Sequence, residues 1–186
     1  NAKGKMWSTF IALPQGDDVL LAMSKESAML SLAELNKYGV FAKVEITDDT
    51  ENWNIYGSNT NNENAEFNLE LANQHFLVLS SSEIEGASDE NSVWWQQEIL
   101  SGRAHLFEQT SQEYVPQMLN VQALDYISFN KGCYMGQEMV ARMRYLGKNK
   151  RALYLAETDS EIKISVGTDV AIEINENKRN IGKVIQ

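Results

Sequence analysis

Short apolar runs of strand-like and helix-like spacing alternate along this chain, and clusters of turn residues separate them. The 186 residues are 43% hydrophobic, which is enough to bury a core in one or two domains. No apolar run approaches the roughly 20 residues that a membrane-spanning helix needs. The pattern therefore predicts a globular protein of mixed α+β structure.

The first elements are a predicted hairpin and a helix. MWSTFIAL and VLLAM have strand composition and flank the turn PQGDD. Ser24 is a candidate N-cap for the helix that follows, and Gly39 is its expected left-handed stop. We expect the helix to pack on the sheet through one face, formed by Ala28, Leu32 and Leu35.

The middle of the chain predicts further strands and a second helix. FAKVEI, WNIYG and NQHFLVLS have strand composition, and the polar segment SNTNNENAE is expected to connect strands at the surface. Asn91 is a candidate cap for a helix from about Val93 to Leu100. Trp94 and Trp95 point about 100° apart on it, so either one is available for a ligand or both serve a core or domain interface.

Charge is distributed unevenly. The chain carries −10, whereas residues 131 to 151 hold one acid and six bases, which gives this stretch +5. The net charge argues against extensive nucleic-acid binding, because a protein that neutralises phosphates normally has a basic face. The stretch is either a local anion-binding surface or a solvated basic face, and its bases are Lys131, Arg142, Arg144, Lys148, Lys150 and Arg151.

Cys133 is the only cysteine, so no internal disulfide can form, and we expect a cytoplasmic protein. The chain opens on Asn1 and ends in the strand-like IGKVIQ, and we interpret it as a fragment. The only two histidines, His75 and His105, have no metal-ligand spacing, and no GxSxG motif is present. We therefore expect no metal site.

The cysteine lies in KGCYMGQEMVARMR, between Gly132 and Gly136. The glycines allow a tight turn, and GQEMVARM has the composition of a short helix. Cys133 would then lie just before a helix N-terminus, near Lys131 and the two arginines, which favours the thiolate. The alternative is a small buried thiol that fills a gap under the turn.

The motif K-G-C-Y-x-G-Q-E, from Lys131 to Glu138, resembles the signature of the YgfZ family. The resemblance extends through PQMLNVQAL and ISF before the motif and through MVAR and GKNKRAL after it. NAKGKMW at the start of the chain is similar to the family's D-A-K-G-K-M-W. The resemblance therefore rests on the two flanks of the chain, because residues from about 48 to 90 carry no such motif.

The resemblance implies a fold related to the T-protein of the glycine cleavage system. Residues 1–147 would form a folate-binding region of two intertwined α/β domains, and residues 148–186 would begin a C-terminal β-barrel. The first strands of that barrel would be RALYLAE, DVAIEI and IGKVIQ.

The resemblance also implies a function and a site. Family members bind tetrahydrofolate and support iron–sulfur enzymes, including those that methylthiolate tRNA. The family's folate site includes a tryptophan ahead of the motif, and counting back without gaps places it at Trp94, which would stack on the pterin. In this chain the basic cluster offers the glutamate tail a counter-charge, with Arg142 and Arg144 as its expected partners. Cys133 would be the candidate catalytic thiol, and the remaining motif positions are Lys131, Gly132, Tyr134, Gly136, Gln137 and Glu138.

One position departs from the family. The chain reads ILSGRAH where the family has an acidic residue in a stretch like I-E-A-G-F-P, so Leu100 stands in place of the acid. Glu98, two residues earlier, points to a different helix face. We therefore expect folate binding that is weaker or arranged differently.

Three functions remain open. The first is a folate-binding accessory factor whose thiol handles sulfur, one-carbon or cluster chemistry. The second is an aminomethyltransferase, which needs no cysteine, and the third is a tRNA-binding module, which the net charge disfavours. An iron–sulfur cluster typically takes four thiolates. We therefore expect no stable cluster in a monomer, and the open alternative is transient ligation shared with a partner enzyme or a second copy. We expect the protein itself to be a monomer.

Overall fold

The computed structural model describes residues 1–72, 74–147, 149–159 and 161–186. These residues divide into two compact units, one made of residues 1–43 and 102–186 and the other of residues 44–101. Both contain helices and antiparallel strands, which confirms the α+β class. Lys148 of the basic stretch lies outside the described residues, and the domain boundary between residues 147 and 148 stays a prediction.

The first unit opens with the predicted hairpin. Strand β1 (Ile11–Gln15) pairs antiparallel with β2 (Asp18–Ala22), and Gly16 turns the chain at a φ of 62°. The strand begins later than predicted because the preceding backbone bonds elsewhere. The N–H of Met6 donates to the carbonyl of Tyr114, and its carbonyl accepts from Gln112.

Helix α1 (Lys25–Gly39) begins at the predicted cap, since the Ser24 hydroxyl accepts the N–H of Ser27 at 3.2 Å. The predicted left-handed stop at Gly39 is wrong. The helix includes Gly39 and ends at Val40 in the right-handed conformation, because the next N–H groups form tight turns with the last carbonyls. Its buried positions are Ser27 and Ser31, whereas Leu35 of the predicted apolar face is exposed.

The rest of the first unit is built from short elements around one core. Short 3-10 helices cover Glu108–Thr110, Pro116–Leu119 and Val121–Leu124. The buried core consists of Ala104, Leu106, Tyr114, Leu119 and Ile185. Partly buried apolar side chains from the segments that carry the resemblance pack against this core, namely Met6, Met118, Val121 and Leu153.

The second unit, residues 44–101, contains a three-stranded antiparallel sheet and one helix. Strands β3 (Asn54–Ser58), β4 (Phe67–Ala72) and β5 (His75–Ser80) lie in the order β3-β5-β4. A 3-10 turn at Thr50–Asn52 precedes the sheet, and helix α2 (Ser92–Leu100) follows it. The predicted strands WNIYG and NQHFLVLS are confirmed from Asn54 and from His75 onward, whereas Asn73 lies outside the described residues. Strand β4 was not predicted.

The predicted strand FAKVEI is wrong, because residues 41–46 form no strand. Its apolar residues Phe41 and Val44 are exposed, so no neighbouring strand or core covers them. The helix cap at Asn91 is confirmed in position, but its side chain makes no capping hydrogen bond. Among the described residues, no helix combines the length and the apolar character that crossing a membrane would require.

The C-terminal part of the first unit contains helix α3 (Gln137–Tyr145) and a hairpin of β6 (Asp169–Ile174) and β7 (Asn177–Lys183). The described residues contain no closed barrel, and RALYLAE forms no strand. Within this segment, the carbonyl of Leu153 accepts a hydrogen bond from the side-chain amide of Asn120 at 2.8 Å and not from the backbone of a neighbouring strand. The T-protein-like arrangement stays a prediction.

One ion pair joins the C-terminal hairpin to the core segment of the same unit. The Lys183 ammonium donates to both carboxylate oxygens of Glu113, at 3.0 and 3.1 Å. These bonds hold the pKa of Lys183 above its usual range. Burial, and then the neighbouring Glu113 carboxylate, raise the pKa of Tyr114.

Candidate functional site

The cysteine motif forms an exposed turn that leads into α3. The carbonyl of Tyr134 accepts the N–H of Gln137 at 3.1 Å, and Gly136 is the N-cap of the helix. Cys133 is exposed, three residues ahead of that cap. The helix predicted from GQEMVARM is confirmed, and the interpretation of Cys133 as a buried filler is wrong.

Lys131 and Tyr134 flank the cysteine in sequence and interact with each other. The Lys131 ammonium lies 4.5 Å from the centre of the Tyr134 ring, which is a cation–π geometry. Gly132 lies between them with open space on its side-chain side. The turn therefore presents a thiol together with one cation and one aromatic ring.

The two arginines of α3 do not form a single clamp. Arg142 and Arg144 are two positions apart, so they point roughly 200° apart around the helix. Arg142 lines an open groove with Glu138 and Leu146. The Arg144 guanidinium lies 3.7 Å from the centre of the Phe129 ring and lines a separate groove. Both lie in the last turn, where cations complement the helix dipole.

The start of the chain packs against the cysteine motif. Gly136 has a φ of 87°, and the carbonyl of Asn1 and the backbone of Gly4 lie where its β-carbon would be. A β-carbon on Gly4 would in turn lie 2.9 Å from the β-carbon of Met139. NAKGKMW and KGCYMGQE, which are far apart in sequence, are therefore in direct contact.

Side-chain amides connect the remaining matched segments. The amide of Gln117 donates to the carbonyl of Val140 in α3 at 2.7 Å, in a buried position. The carbonyl of Gln117 accepts the side-chain amide of Asn149 at 2.7 Å. These two hydrogen bonds connect three of the matched segments, PQMLNVQAL, MVAR and GKNKRAL.

Trp94 lies in the second unit, on the face of its sheet. A β-carbon on Gly57 would lie 3.1 Å from Cζ3 and 3.2 Å from Cδ2 of Trp94, so the indole rests directly on the strand backbone. The ring centres of Trp94 and His75 are 4.4 Å apart, and the planes are tilted by 40°. Trp94 and Trp95 are both half-buried.

Sequence reasoning missed the group that supports Trp94. His75 Nε2 lies 3.1 Å from Glu98 Oε1, and these residues are only 5% and 1% exposed. The signal was the spacing of Trp94 and Glu98, which are four positions apart and share one helix face. Leu100, the residue in place of the family's acid, is 58% exposed on another face.

The expected site residues are divided between the units. Trp94 belongs to residues 44–101, whereas Cys133, Arg142 and Arg144 belong to the other unit. Among the described residues, no group of three or more histidine, cysteine or acidic side chains is arranged to hold a metal ion.

Comparison with known proteins identifies relatives that align along the whole sequence. The chain is 32% identical over 209 residues to the tRNA-modifying protein YgfZ of Aliivibrio fischeri, with 100% of this chain and 66% of the relative covered. It is 34% identical over 215 residues to the tRNA-modifying protein YgfZ of Colwellia psychrerythraea, with the same coverage of 100% and 66%. An uncharacterized protein of Haemophilus influenzae is 31% identical over 188 residues, which cover 98% of this chain and 66% of that protein.

The chain belongs to the YgfZ family, as the motif resemblance predicted. It spans 66% of the length of these relatives. No family model matches it.

Replacing Gly136 tests the contact between the two motifs. Gly136→Ala should lower the free energy of unfolding by about 1–3 kcal/mol or more. Alanine is strained at positive φ, and its methyl group would overlap the Asn1–Gly4 backbone. Gly132→Ala, in the same motif but with open space around it, should stay within about 1 kcal/mol of the wild type. Urea unfolding measures both, and equal losses would contradict the packing described.

Replacing Gly57 tests the seat of Trp94. Gly57→Ala should displace the indole, reduce the near-ultraviolet circular dichroism of Trp94 and cost about 1–3 kcal/mol of stability, because a methyl group has no room there. Gly182→Ala is the matched control, since Gly182 is also a strand glycine but has no atom near its side-chain position. An unchanged tryptophan spectrum in Gly57→Ala would contradict the contact.

Proposed function

We propose that this protein acts in tRNA modification as a folate-binding accessory factor that supports iron–sulfur enzymes. Relatives that align with the whole chain are named tRNA-modifying proteins, which supports the first part. The observation that carries the proposal is the exposed Cys133 in a complete KGCYMGQE motif. A thiol on a braced, solvent-facing turn can reach a partner or substrate, whereas a buried one cannot.

Folate binding is proposed at Trp94. A pterin ring needs a flat apolar partner, and a half-buried indole held against the Gly57 backbone is a rigid one. The carboxylates of the glutamate tail need cations, for which Arg142 and Arg144 are separate candidates because they point to different sides of α3. Tetrahydrofolate or a derivative is therefore the proposed cofactor.

A single thiolate limits the chemistry proposed for Cys133. Four thiolates typically hold an iron–sulfur cluster, and this chain offers one. The thiol therefore acts on sulfur, on a one-carbon group or on a cluster shared transiently with a partner such as a tRNA methylthiotransferase. A cytoplasmic monomer that contacts tRNA only through that partner fits this role.

Folate binding is tested by replacing each tryptophan of α2. Trp94→Leu should weaken binding of 5-formyltetrahydrofolate by about 1–3 kcal/mol, or roughly 5- to 150-fold, because the stacking partner is lost. Trp95→Leu is the matched control and should change the affinity by less than the Trp94 variant. Isothermal titration calorimetry measures both.

The same titration tests the arginines. Arg142→Gln and Arg144→Gln, made separately, should each weaken binding if both contact the tail, and only one should do so if the tail follows one side of α3. No binding by the wild type would sink the folate proposal, and an unchanged affinity in Trp94→Leu would place the pterin elsewhere.

The role of the thiol is tested by complementation. In a bacterial host that lacks its own YgfZ protein, the wild type should restore methylthiolated nucleosides in tRNA, measured by mass spectrometry of digested tRNA. Cys133→Ser should lose most of this rescue, because serine keeps the shape but removes the thiolate. Met135→Leu is the matched control, since Met135 is exposed in the same turn at the variable position of the motif.

Full rescue by Cys133→Ser would show that the thiol is dispensable. Such a result would favour an aminomethyltransferase, whose chemistry needs no cysteine. Lack of rescue by the wild type would contradict the accessory role itself, independently of the cysteine.

A further inference from the structure

We propose that His75, held by Glu98, is a positioning residue that fixes the plane of the Trp94 indole for stacking on a pterin. This inference rests on the folate site proposed above, and it assigns a role to a buried polar pair that the motif leaves unexplained. All three side chains lie in the unit of residues 44–101.

The His75 ring makes two different contacts. Its Nε2 edge lies 3.1 Å from Glu98 Oε1, while its centre lies 4.4 Å from the centre of the Trp94 ring. The bond to Glu98 restricts rotation of the imidazole about its side-chain bonds, because turning the ring would break a buried hydrogen bond. A ring that cannot turn gives the indole a fixed neighbour.

Two supports then define the indole plane. The backbone at Gly57 on β3 blocks movement toward the sheet, and His75 on β5 blocks tilting along it. Glu98 lies one helical turn after Trp94 on α2, so the same helix carries the indole and the group that orients its neighbour. Any tilt of α2 would therefore strain both contacts together.

A buried polar pair is a costly way to join a helix to a sheet, because both side chains lose their contact with water. Apolar residues of similar volume often give equal or greater stability than such a pair. Orienting the half-buried indole of Trp94 is a role that explains why this pair is present despite its desolvation cost. The pair accordingly matters for binding geometry and not only for the stability of the unit.

The test compares three variants by the near-ultraviolet circular dichroism of Trp94 and by affinity for 5-formyltetrahydrofolate. The Trp94 signal is the spectrum of each protein minus that of its Trp94→Phe counterpart. His75→Gln retains an N–H for Glu98 but lacks the ring, and Glu98→Leu removes the bond that holds the ring. Both should weaken the Trp94 signal and lower affinity about 2- to 10-fold, the range expected for one aromatic contact.

Val78→Ala is the control for loss of stability alone. Val78 is buried in the same strand, but it points to the opposite face from His75. This variant should lower the urea midpoint while it keeps the Trp94 signal and the affinity.

An unchanged Trp94 signal and unchanged affinity in folded His75→Gln or Glu98→Leu would overturn the inference. Equal losses of signal and affinity in Val78→Ala would also overturn it, because they would reduce the pair to a structural role. Failure of the wild type to bind folate would instead refute the folate site, and the Trp94 signal would still decide whether His75 orients the indole.

Discussion

The close backbone approach between Gly4 and Gly136 is the constraint on which the cysteine motif depends. Gly136 adopts a positive φ, and the Asn1–Gly4 turn occupies the space that a side chain would need. This contact fixes the residue at which α3 begins. It therefore also fixes the position of the exposed turn that precedes the helix. Cys133 is exposed because its turn is braced from behind at Gly136 while its own position makes no core contact.

Polar side chains that bond to backbone groups hold the rest of this region. The side-chain amide of Gln117 donates to the carbonyl of Val140, and that of Asn120 donates to the carbonyl of Leu153, so amides connect segments that are distant in sequence. Each such bond contributes about 1 kcal/mol, and losing a buried one costs more. The second unit also depends on a polar contact, because a hydrogen bond between His75 and Glu98 joins its helix to its sheet.

Elements with strong local signals were predictable from the sequence. The hairpin around Gly16, the cap at Ser24 and the helix after Gly136 each depend on residues within a few positions of one another. FAKVEI was predicted as a strand from composition, but a strand also needs a partner, and none covers Phe41 or Val44. Gly39 failed as a stop because neighbouring N–H groups already satisfy the last carbonyls.

The candidate site was predictable to a similar degree. The position of Cys133 just ahead of a helix follows from glycine spacing, which is local, whereas its exposure is known only from the structure. The seat of Trp94 on Gly57 and His75 depends on strand pairing between β3 and β5, and sequence patterns alone do not reveal such long-range neighbours. The opposite directions of Arg142 and Arg144 were predictable, because residues two positions apart point roughly 200° apart around a helix.

We propose that Trp94 is the platform on which this protein binds a pterin. A crystal structure of the chain with 5-formyltetrahydrofolate tests it most directly. We expect a pterin ring stacked on the indole at a van der Waals separation of ~3.5–4 Å, with Trp94 still in contact with Gly57. A pterin bound elsewhere, with no contact to Trp94, would contradict it.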